Sequence, residues 1–228
     1  MISPLKNSFE EKSLLVRRLG RRDYLPVWQA MQHFTQQRSH DTLDEIWLVE
    51  HPPVFTLGLN GKQHHVLNAG DIPLVQTDRG GQVTYHGPGQ LVVYLLFDLK
   101  RHGLGVRSLV SLIEQSIIDL LTSYNIDAEA RQDAPGVYVA GAKLAALGLR
   151  IKQGCSYHGL SLNIDMDLEP FSRINPCGYE GLAVTQLRTV GISDNMDKIA
   201  DALLAHISNR LGYHPDFTFA EENLFIDG

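Results

Sequence analysis

The sequence predicts one α+β domain, α/β in the broad sense, in which helices pack on a mixed, largely antiparallel sheet. Two observations predict this class. Several β-rich runs follow one another without a helical pattern between them, and three helical patterns are spread along the chain. Consecutive strands exclude a regular βαβ array. Because no repeat, low-complexity tract or linker divides the chain, residues 1–228 are interpreted as a single domain with loosely held ends.

Hydrophobic periodicity predicts the three helices. The first follows Asp23, which can cap it, and Pro26 is tolerated because it falls in the first turn. The second covers residues 108–124, with apolar side chains along one side. The third begins after a cap at Ser193 or Asp194.

Eight strands are predicted from short β-rich runs, but these runs do not reveal the strand order. They cover residues 45–50, 54–59, 74–76, 82–85, 90–99, 136–139, 143–151 and 157–165.

The composition favours a cytoplasmic globular protein. Hydrophobic residues make up 43% of the chain and charged residues 20%, which suits one domain with a real core. The first residues contain no apolar stretch of signal-peptide length, and the longest apolar run, 91–97, is too short to span a bilayer. Two cysteines are too few for a disulfide framework, so we expect free thiols in a reducing compartment.

The charge argues against two classes of partner. A formal net charge of -6 disfavours general binding to nucleic acid or to an anionic membrane, since both need a cationic surface. The densest cationic run consists of four arginines, Arg17, Arg18, Arg21 and Arg22. We interpret it as a solvated face and keep a docking role as a minor alternative.

The densest motif is the glycine-rich segment RGGQVTYHGPGQLVVY, residues 79–94. Its glycines and proline interrupt two strands and allow the backbone to approach a ligand. Arg79 could hold an anion, and His86 is a donor or base candidate. A glycine-rich hairpin with a structural histidine explains the pattern equally well. The segment matches neither GxxxxGK[ST] nor a helix-opening GxGxxG, so nucleotide binding has no motif support.

Three further segments carry candidate side chains. Lys143 lies in an apolar strand, where burial would let it act as a base or a thiolate partner, although strand alternation also permits a solvent-facing lysine. His158 is interpreted as structural. Cys177 lies in INPCGYEGL without helical or strand periodicity, and such loops present reactive groups. Cys155 enters a strand and is the structural thiol in this interpretation.

No metal site is expected. The sequence contains no CxxC and no HExxH, and its ten histidines are scattered, with only His64 and His65 adjacent. A GxSxG nucleophile elbow is also absent.

With these segments assembled, the chain resembles the lipoyl(octanoyl) transferase family, the octanoyl-acyl-carrier-protein:protein N-octanoyltransferases. The resemblance runs from about residue 44 to about residue 189 and rests on a long signature with a lysine and a cysteine. The matching residues are Arg79, Gly80, Gly81, Thr84, Tyr85, His86, Gly89, Gln90, Tyr94, Lys143 and Cys177. The family shares its fold with the catalytic domains of biotin and lipoate protein ligases, in which a sheet lines an acyl tunnel.

The resemblance also implies the site. Cys177 would carry the acyl group, and Lys143 would raise its thiolate fraction. The acyl pocket would be lined by Arg79, Gly80, Gly81, Gln82, Val83, Thr84, Tyr85, His86, Ala146, Leu147, Gly148, Gly159, Leu160 and Ser161. Whether Lys143 acts as a charge or as a proton acceptor stays open.

The implied reaction belongs to lipoate biosynthesis. An octanoyl group would pass from acyl carrier protein through a cysteine thioester to a specific lysine. The implied acceptors are the lipoyl domains of 2-oxoacid dehydrogenase complexes and the glycine-cleavage H protein. Thioester exchange is nearly neutral in free energy and the final amide is more stable, so the reaction requires neither ATP nor a cofactor. The alternatives are an ATP-dependent lipoate or biotin ligase, which needs no cysteine, and a catalytically dead binding module. Oligomeric state and chain-length preference stay open.

Overall fold

Two sheets form the framework of the computed structural model, which describes residues 14–213 and 218–219. The strands are β1 (Leu14–Arg21), β2 (Asp44–Glu50), β3 (Val54–Leu57), β4 (Leu74–Gln76), β5 (Val83–His86), β6 (Gln90–Leu96), β7 (Glu129–Ala130), β8 (Gly136–Val139), β9 (Ala142–Lys152), β10 (Cys155–Asn163) and β11 (Thr218–Phe219). The helices are α1 (Tyr24–Gln37), α2 (Val106–Ser123) and α3 (Met196–Leu211). Short 3-10 helices cover Gln63–His65, Glu169–Arg173 and Pro176–Gly178.

The large sheet has the order β11-β1-β2-β6-β10-β9-β8-β7 over the described residues, and the small sheet has the order β4-β3-β5. In the large sheet β1 pairs in parallel with β2 and β11, and all other neighbouring strands are antiparallel. The prediction of a mixed, largely antiparallel sheet packed with helices is therefore confirmed.

Helices cover both faces of the large sheet because side chains alternate along its strands. Val93 of β6 faces α2 and α3 and belongs to the larger core cluster, with Ile113 and Leu203. Val92, the next residue along, faces α1 and packs in a second cluster with Met31. A third cluster lies between the small sheet and the 3-10 helix Glu169–Arg173. None of the described helices is long and apolar enough to cross a membrane.

Most boundaries of the predicted strands fall within two residues of the observed ones. Strands β4 and β8 begin and end where expected, whereas the predicted strand 90–99 stops at Leu96. Asp23 occupies the predicted N-cap position of α1, but its side chain makes no capping hydrogen bond. The predicted cap of α3 is wrong, because Asn195 caps that helix and accepts a hydrogen bond from the Lys198 backbone N–H. Asp194 accepts instead from the Tyr124 hydroxyl at 2.7 Å.

Strand β1 was not predicted, because its dense arginines hide the apolar alternation of Leu14 and Val16, which are buried. The interpretation of this run as a solvated face is wrong for Arg17, which is largely buried and pairs with Glu45 at 2.7 Å. The predicted loose ends fall mainly on residues 1–13, 214–217 and 220–228, outside the described residues.

Candidate active site

Lys143 and Cys177 meet although 34 positions separate them in the sequence. The Lys143 ammonium lies 2.8 Å from Cys177 Sγ and 3.2 Å from the Pro135 carbonyl oxygen, and the lysine is only 3% exposed. Its backbone is fixed from the other side, where its N–H donates to Ala183 and its carbonyl accepts from Thr185. The alternative of a solvent-facing lysine is therefore wrong.

A tight turn presents Cys177. The residue is half-buried within the 3-10 helix Pro176–Gly178 and adopts a left-handed backbone conformation with φ 57°. Such a conformation costs about 1 kcal/mol or more in a residue other than glycine, so the surroundings must hold it. They do so at Asn175, whose N–H donates to the His65 carbonyl and whose carbonyl accepts from Gly178.

The charge of Lys143 depends on its thiol partner. Burial alone would lower the pKa of Lys143, but charge attraction to Cys177 and the hydrogen bond that Lys143 donates to Cys177 Sγ outweigh burial and raise this pKa above its ordinary value. The Tyr138 ring, 5.1 Å from the ammonium, favours the cation further. In contrast, burial raises the pKa of the Cys155 thiol, as expected for an unreactive structural cysteine.

A cavity that we call the main pocket opens beside Cys177. It lies between α1, the 79–86 segment and the central strands β6, β9 and β10. Its lining residues are Tyr24, Arg79, Gly81, Gln82, Val83, Thr84, His86, Val92, Tyr94, Ala146, Leu147, Gly148, His158, Gly159, Leu160, Ser161 and Cys177. The structure thus brings together twelve of the fourteen residues expected in an acyl pocket.

The other two expected lining residues lie elsewhere. Tyr85 points to the opposite side of β5, where its ring centroid is 5.5 Å from those of Phe55 and Phe171 in the third core cluster. Strand alternation separates it from Thr84. Gly80 lies outside the main pocket, where its N–H donates to the Leu149 carbonyl at 2.9 Å and ties the loop to β9.

Lys143 reaches Cys177 from a smaller cavity, the side pocket. Its lining residues are Thr84, Lys143, Ala145, Ala146, Ser161, Asn163, Phe171, Pro176, Cys177 and Val184. Cys177 lines both the main pocket and the side pocket, so the two cavities share this residue as part of their walls.

Arg79 organises the glycine-rich loop. Its buried guanidinium donates to the Thr56 carbonyl at 2.6 Å, to the Gly80 carbonyl at 2.9 Å and to the Gln82 carbonyl at 2.8 Å. These acceptors are neutral oxygens of β3 and of the loop itself. The arginine therefore fixes the shape of the pocket wall in addition to lining it.

His86 is neutral at physiological pH. Burial, reinforced by the neighbouring His51, lowers the pKa of His86 to about 3. Its Nδ1 donates to Gln90 Oε1 at 2.7 Å, and its ring stacks on Tyr24 at 5.8 Å. These contacts make His86 part of the pocket wall and a poor general base.

Four residues of the main pocket were not among the expected site residues, namely Tyr24, Val92, Tyr94 and His158. His158 has a left-handed φ of 59° within β10, and its Nε2 donates to Asp78 Oδ1 at 2.8 Å. Its Nδ1 is buried and has no hydrogen-bond partner within the described part of the chain. The alternation of β6 could have identified Val92 and Tyr94, but no local signal pairs His158 with Asp78.

Asp78 gathers donors from two elements. The Trp28 indole N–H of α1 donates to it at 2.8 Å, and the hydroxyl of Tyr157 and Nε2 of His158 donate to it from β10. Burial alone would raise the pKa of Asp78, but these hydrogen bonds hold the pKa well below its ordinary value. A permanent carboxylate therefore ties α1 to the pocket wall. Among the described residues, no group of three or more His, Cys, Asp or Glu side chains could hold a metal ion.

Comparison with known proteins defines the class. A family model described as "Lipoyl protein ligase A/B catalytic domain" matches residues 23–208. The chain therefore belongs to this family of catalytic domains.

Its relatives define the branch of that family. The octanoyltransferase of Shewanella oneidensis is 59% identical over 204 residues, which cover 90% of this chain and 94% of the relative. The octanoyltransferase of Stutzerimonas stutzeri is 61% identical over 205 residues, with coverage of 90% and 94%. Within the family, the chain is an acyltransferase of the lipoyl(octanoyl) transferase type.

Solved structures confirm the expected fold. The bipartite lipoate protein ligase of Thermoplasma acidophilum superposes with a TM-score of 0.72 at 15% identity, covering 94% of this chain and 89% of that one. The biotin protein ligase of Aquifex aeolicus gives a TM-score of 0.52 at 12% identity, covering 88% and 70%. At these identities the likeness concerns the fold alone.

Proposed function

We propose that this acyltransferase moves an octanoyl group from octanoyl-acyl carrier protein to a specific lysine of lipoyl-dependent domains, through a thioester on Cys177. The observation that carries the proposal is the 2.8 Å separation of Lys143 Nζ and Cys177 Sγ beside the main pocket. A thiolate paired with a buried ammonium is an activated nucleophile. The names of the relatives support octanoyl as the group transferred.

In the first step, the Cys177 thiolate attacks the carbonyl carbon of the carrier thioester. The new carbon–sulfur bond forms at Sγ, the bond to the carrier sulfur breaks, and the departing thiolate takes a proton from the Lys143 ammonium. One thioester replaces another, so the step needs no ATP.

In the second step, the amine of the acceptor lysine attacks the acyl group on Cys177. Once Sγ is acylated, the negative charge that raised the pKa of Lys143 is gone, while the burial that lowers this pKa remains. Lys143 can then accept the proton that the attacking amine must lose. The bond to Sγ breaks, an amide forms, and the thiolate–ammonium pair is restored. Lys143 acts in this scheme as a charge and a proton donor in the first step and as a proton acceptor in the second.

The main pocket would hold the acyl chain. Its walls include Val92 and Leu160, and strands β6 and β10 come so close there that a Cβ on Gly159 would lie 2.0 Å from the Val93 carbonyl oxygen. We assign three segments to this site, namely Arg79 to His86, Ala146 to Gly148 and Gly159 to Ser161. Gly80 and Tyr85 would act by supporting its wall.

The protein partners would approach from a groove that also reaches Cys177. Its rim carries Val106 and Tyr179, two of the exposed large apolar side chains, 47% and 43% exposed. An apolar path to the thiol suits the thioester-bearing arm of acyl carrier protein and the lysine stem of the acceptor. We place the acceptors among the lipoyl domains of 2-oxoacid dehydrogenase complexes and the glycine-cleavage H protein. We place the reaction in the cytoplasm, where Cys177 stays reduced.

The test is the intact mass of the purified protein after exposure to octanoyl-acyl carrier protein. The native protein and Cys155→Ser should gain one octanoyl group that hydroxylamine removes, and Cys177→Ser should not. Undiminished, hydroxylamine-sensitive acylation of Cys177→Ser would contradict the proposal. Octanoate with ATP and an acceptor domain should give no octanoylated acceptor, and transfer under those conditions would favour the ATP-dependent ligase instead.

A further inference from the structure

One peptide group lies between the candidate lysine and a buried carboxylate. The Pro135 carbonyl accepts from Lys143 Nζ at 3.2 Å, and the N–H of the same peptide group, that of Gly136, donates to Glu114 Oε1 at 2.9 Å. The peptide thus receives a hydrogen bond from the ammonium on one side and gives one to the carboxylate on the other. Hydrogen bonds joined through one peptide polarise and strengthen each other.

The neighbouring carbonyls of the same segment are also held. The Ala134 carbonyl accepts from the Tyr138 hydroxyl at 2.7 Å, and the Asp133 carbonyl accepts from the Tyr179 hydroxyl at 3.2 Å. Tyr179 lies two residues after Cys177 in the chain. Residues 133–136, which we call the bridging segment, therefore contact both the strand that carries the lysine and the chain that carries the cysteine.

Glu114 is the anchor of the bridging segment on α2. It is 8% exposed, although a carboxylate seldom lies so deep in a helix face that packs on a sheet. Burial raises the pKa of Glu114, and the Gly136 hydrogen bond and the charge of Lys143 oppose that rise. The catalytic scheme above gives this residue no part.

We propose that Glu114 is a positioning residue, which fixes the Pro135–Gly136 peptide so that its carbonyl aims the Lys143 ammonium at Cys177 Sγ. This inference rests on the proposed function, in which that ammonium stabilises the thiolate. The position of the ammonium is set by the reach of the Glu114 side chain to the Gly136 N–H, more than by its charge. A shorter side chain should therefore misplace Lys143 even if it stays ionised.

The experiment compares the pH profiles of iodoacetamide alkylation at Cys177, which need no acyl substrate. Glu114→Gln keeps the acceptor oxygen within reach and loses the charge, so its alkylation rate should stay within about twofold of the native rate. Glu114→Asp keeps the charge and loses the reach. It should react about tenfold more slowly at neutral pH, with a profile that rises at higher pH and an unchanged plateau in alkali. Glu114→Ala should behave like Glu114→Asp.

The other titratable or charged groups that face the pair are unchanged in all variants. They include Arg79 beside Cys177, Arg131 over the Tyr138 ring, and His65 against Gly178. Ser116→Ala is the matched control, because it removes a buried hydrogen bond of α2, from Ser116 Oγ to the Leu112 carbonyl. Its alkylation profile should be native.

The outcomes separate this inference from the function on which it rests. If Lys143→Met leaves the alkylation profile unchanged, the proposed pair itself fails. If Lys143→Met shifts the profile and Glu114→Asp does not, only the positioning role of Glu114 is overturned. Slow alkylation of Cys177 in Glu114→Gln together with native alkylation in Glu114→Asp would also overturn the positioning role, since the charge of residue 114 and not its reach would then matter. The Gln and Asp variants decide the question even if Glu114→Ala does not fold.

Discussion

Gln90 and Asn163 are joined across β6 and β10 by a hydrogen bond of 2.9 Å from Gln90 Nε2 to Asn163 Oδ1. Asn163 Nδ2 donates to the Thr185 carbonyl at 2.9 Å, and the Thr185 N–H donates to the Lys143 carbonyl. At the other end, Gln90 Oε1 accepts from His86 Nδ1. Two buried amide side chains therefore connect the wall of the main pocket to the backbone that carries the lysine.

This connection predicts that Asn163→Ala lowers both stability and activity. The change leaves a donor of Gln90 and the Thr185 carbonyl buried without their partner, at about 1–3 kcal/mol each. We expect a lower denaturant midpoint, and a lower octanoyl transfer rate per folded molecule because the lysine strand loosens. Asn209→Ala, on the exposed face of α3, is the control. A destabilised variant with native specific activity would show that the connection supports only the fold.

The pairing of Lys143 with Cys177 predicts how the reactivity of the thiol depends on pH. In the native protein the ammonium favours the thiolate, so alkylation of Cys177 should rise at lower pH than in Lys143→Met. Lys143→Arg keeps the charge and should retain part of this advantage, but it cannot become a neutral base in the second step. Its acyl-enzyme should therefore form and then transfer slowly. Superimposable alkylation profiles in the three proteins would remove Lys143 from the mechanism.

Much of the fold followed from local patterns, because burial on one or both faces sets the residue types of strands and helices. Predicted strand 74–76 coincides with β4, and α2 was expected within two residues of its true start. Strand β1 was missed because arginines with partners on neighbouring elements look like a solvated run. The order β2-β6-β10 depends on long-range pairing, for which a single sequence offers no local signal.

The candidate site was accessible to sequence analysis only in part. Cys177 stood out through its loop and Lys143 through its apolar strand, yet their contact spans elements distant in the chain. Tyr85 was expected in the pocket because it lies within the motif, and strand alternation turns it away. Glu114 could not be found, since its partner is a backbone N–H of a distant segment.

Gly81 offers a test of the glycine-rich loop. Its φ of +91° is a conformation that valine rarely adopts, so Gly81→Val should cost about 1–2 kcal/mol in stability and displace the pocket wall. We expect octanoyl transfer by the soluble, folded fraction to fall more than tenfold. Gly103→Val is the matched control, because Gly103 also has positive φ, at +62°, and lies away from the pocket with nothing within 4 Å of a Cβ. If Gly81→Val and Gly103→Val lose stability equally and Gly81→Val keeps its specific activity, the loop is purely structural.

The titration of Asp44 should contribute strongly to the acid stability of the large sheet. This residue is fully buried at the start of β2 and accepts from Arg38, from His102 Nε2 at 2.6 Å, from the Tyr213 hydroxyl at 2.7 Å and from the Asp98 N–H at 2.8 Å. Burial alone would raise the pKa of Asp44, but these partners lower it to about 2 from 3.8.

Because the folded pKa of Asp44 lies below the unfolded one, its carboxylate stabilises the protein fully above about pH 4. That contribution of about 2 kcal/mol is lost as the pH falls through about 2. Asp44→Asn breaks the buried pair with Arg38, so we expect it to be about 3 kcal/mol less stable at pH 6. The variant has no carboxylate at position 44 to protonate. The difference in the free energy of unfolding between the native protein and the variant should therefore shrink by about 2 kcal/mol toward pH 2. Denaturant unfolding at several pH values measures this difference, with the exposed Asp41→Asn as control. A difference that stays constant across this range would show that other carboxylates govern the acid stability.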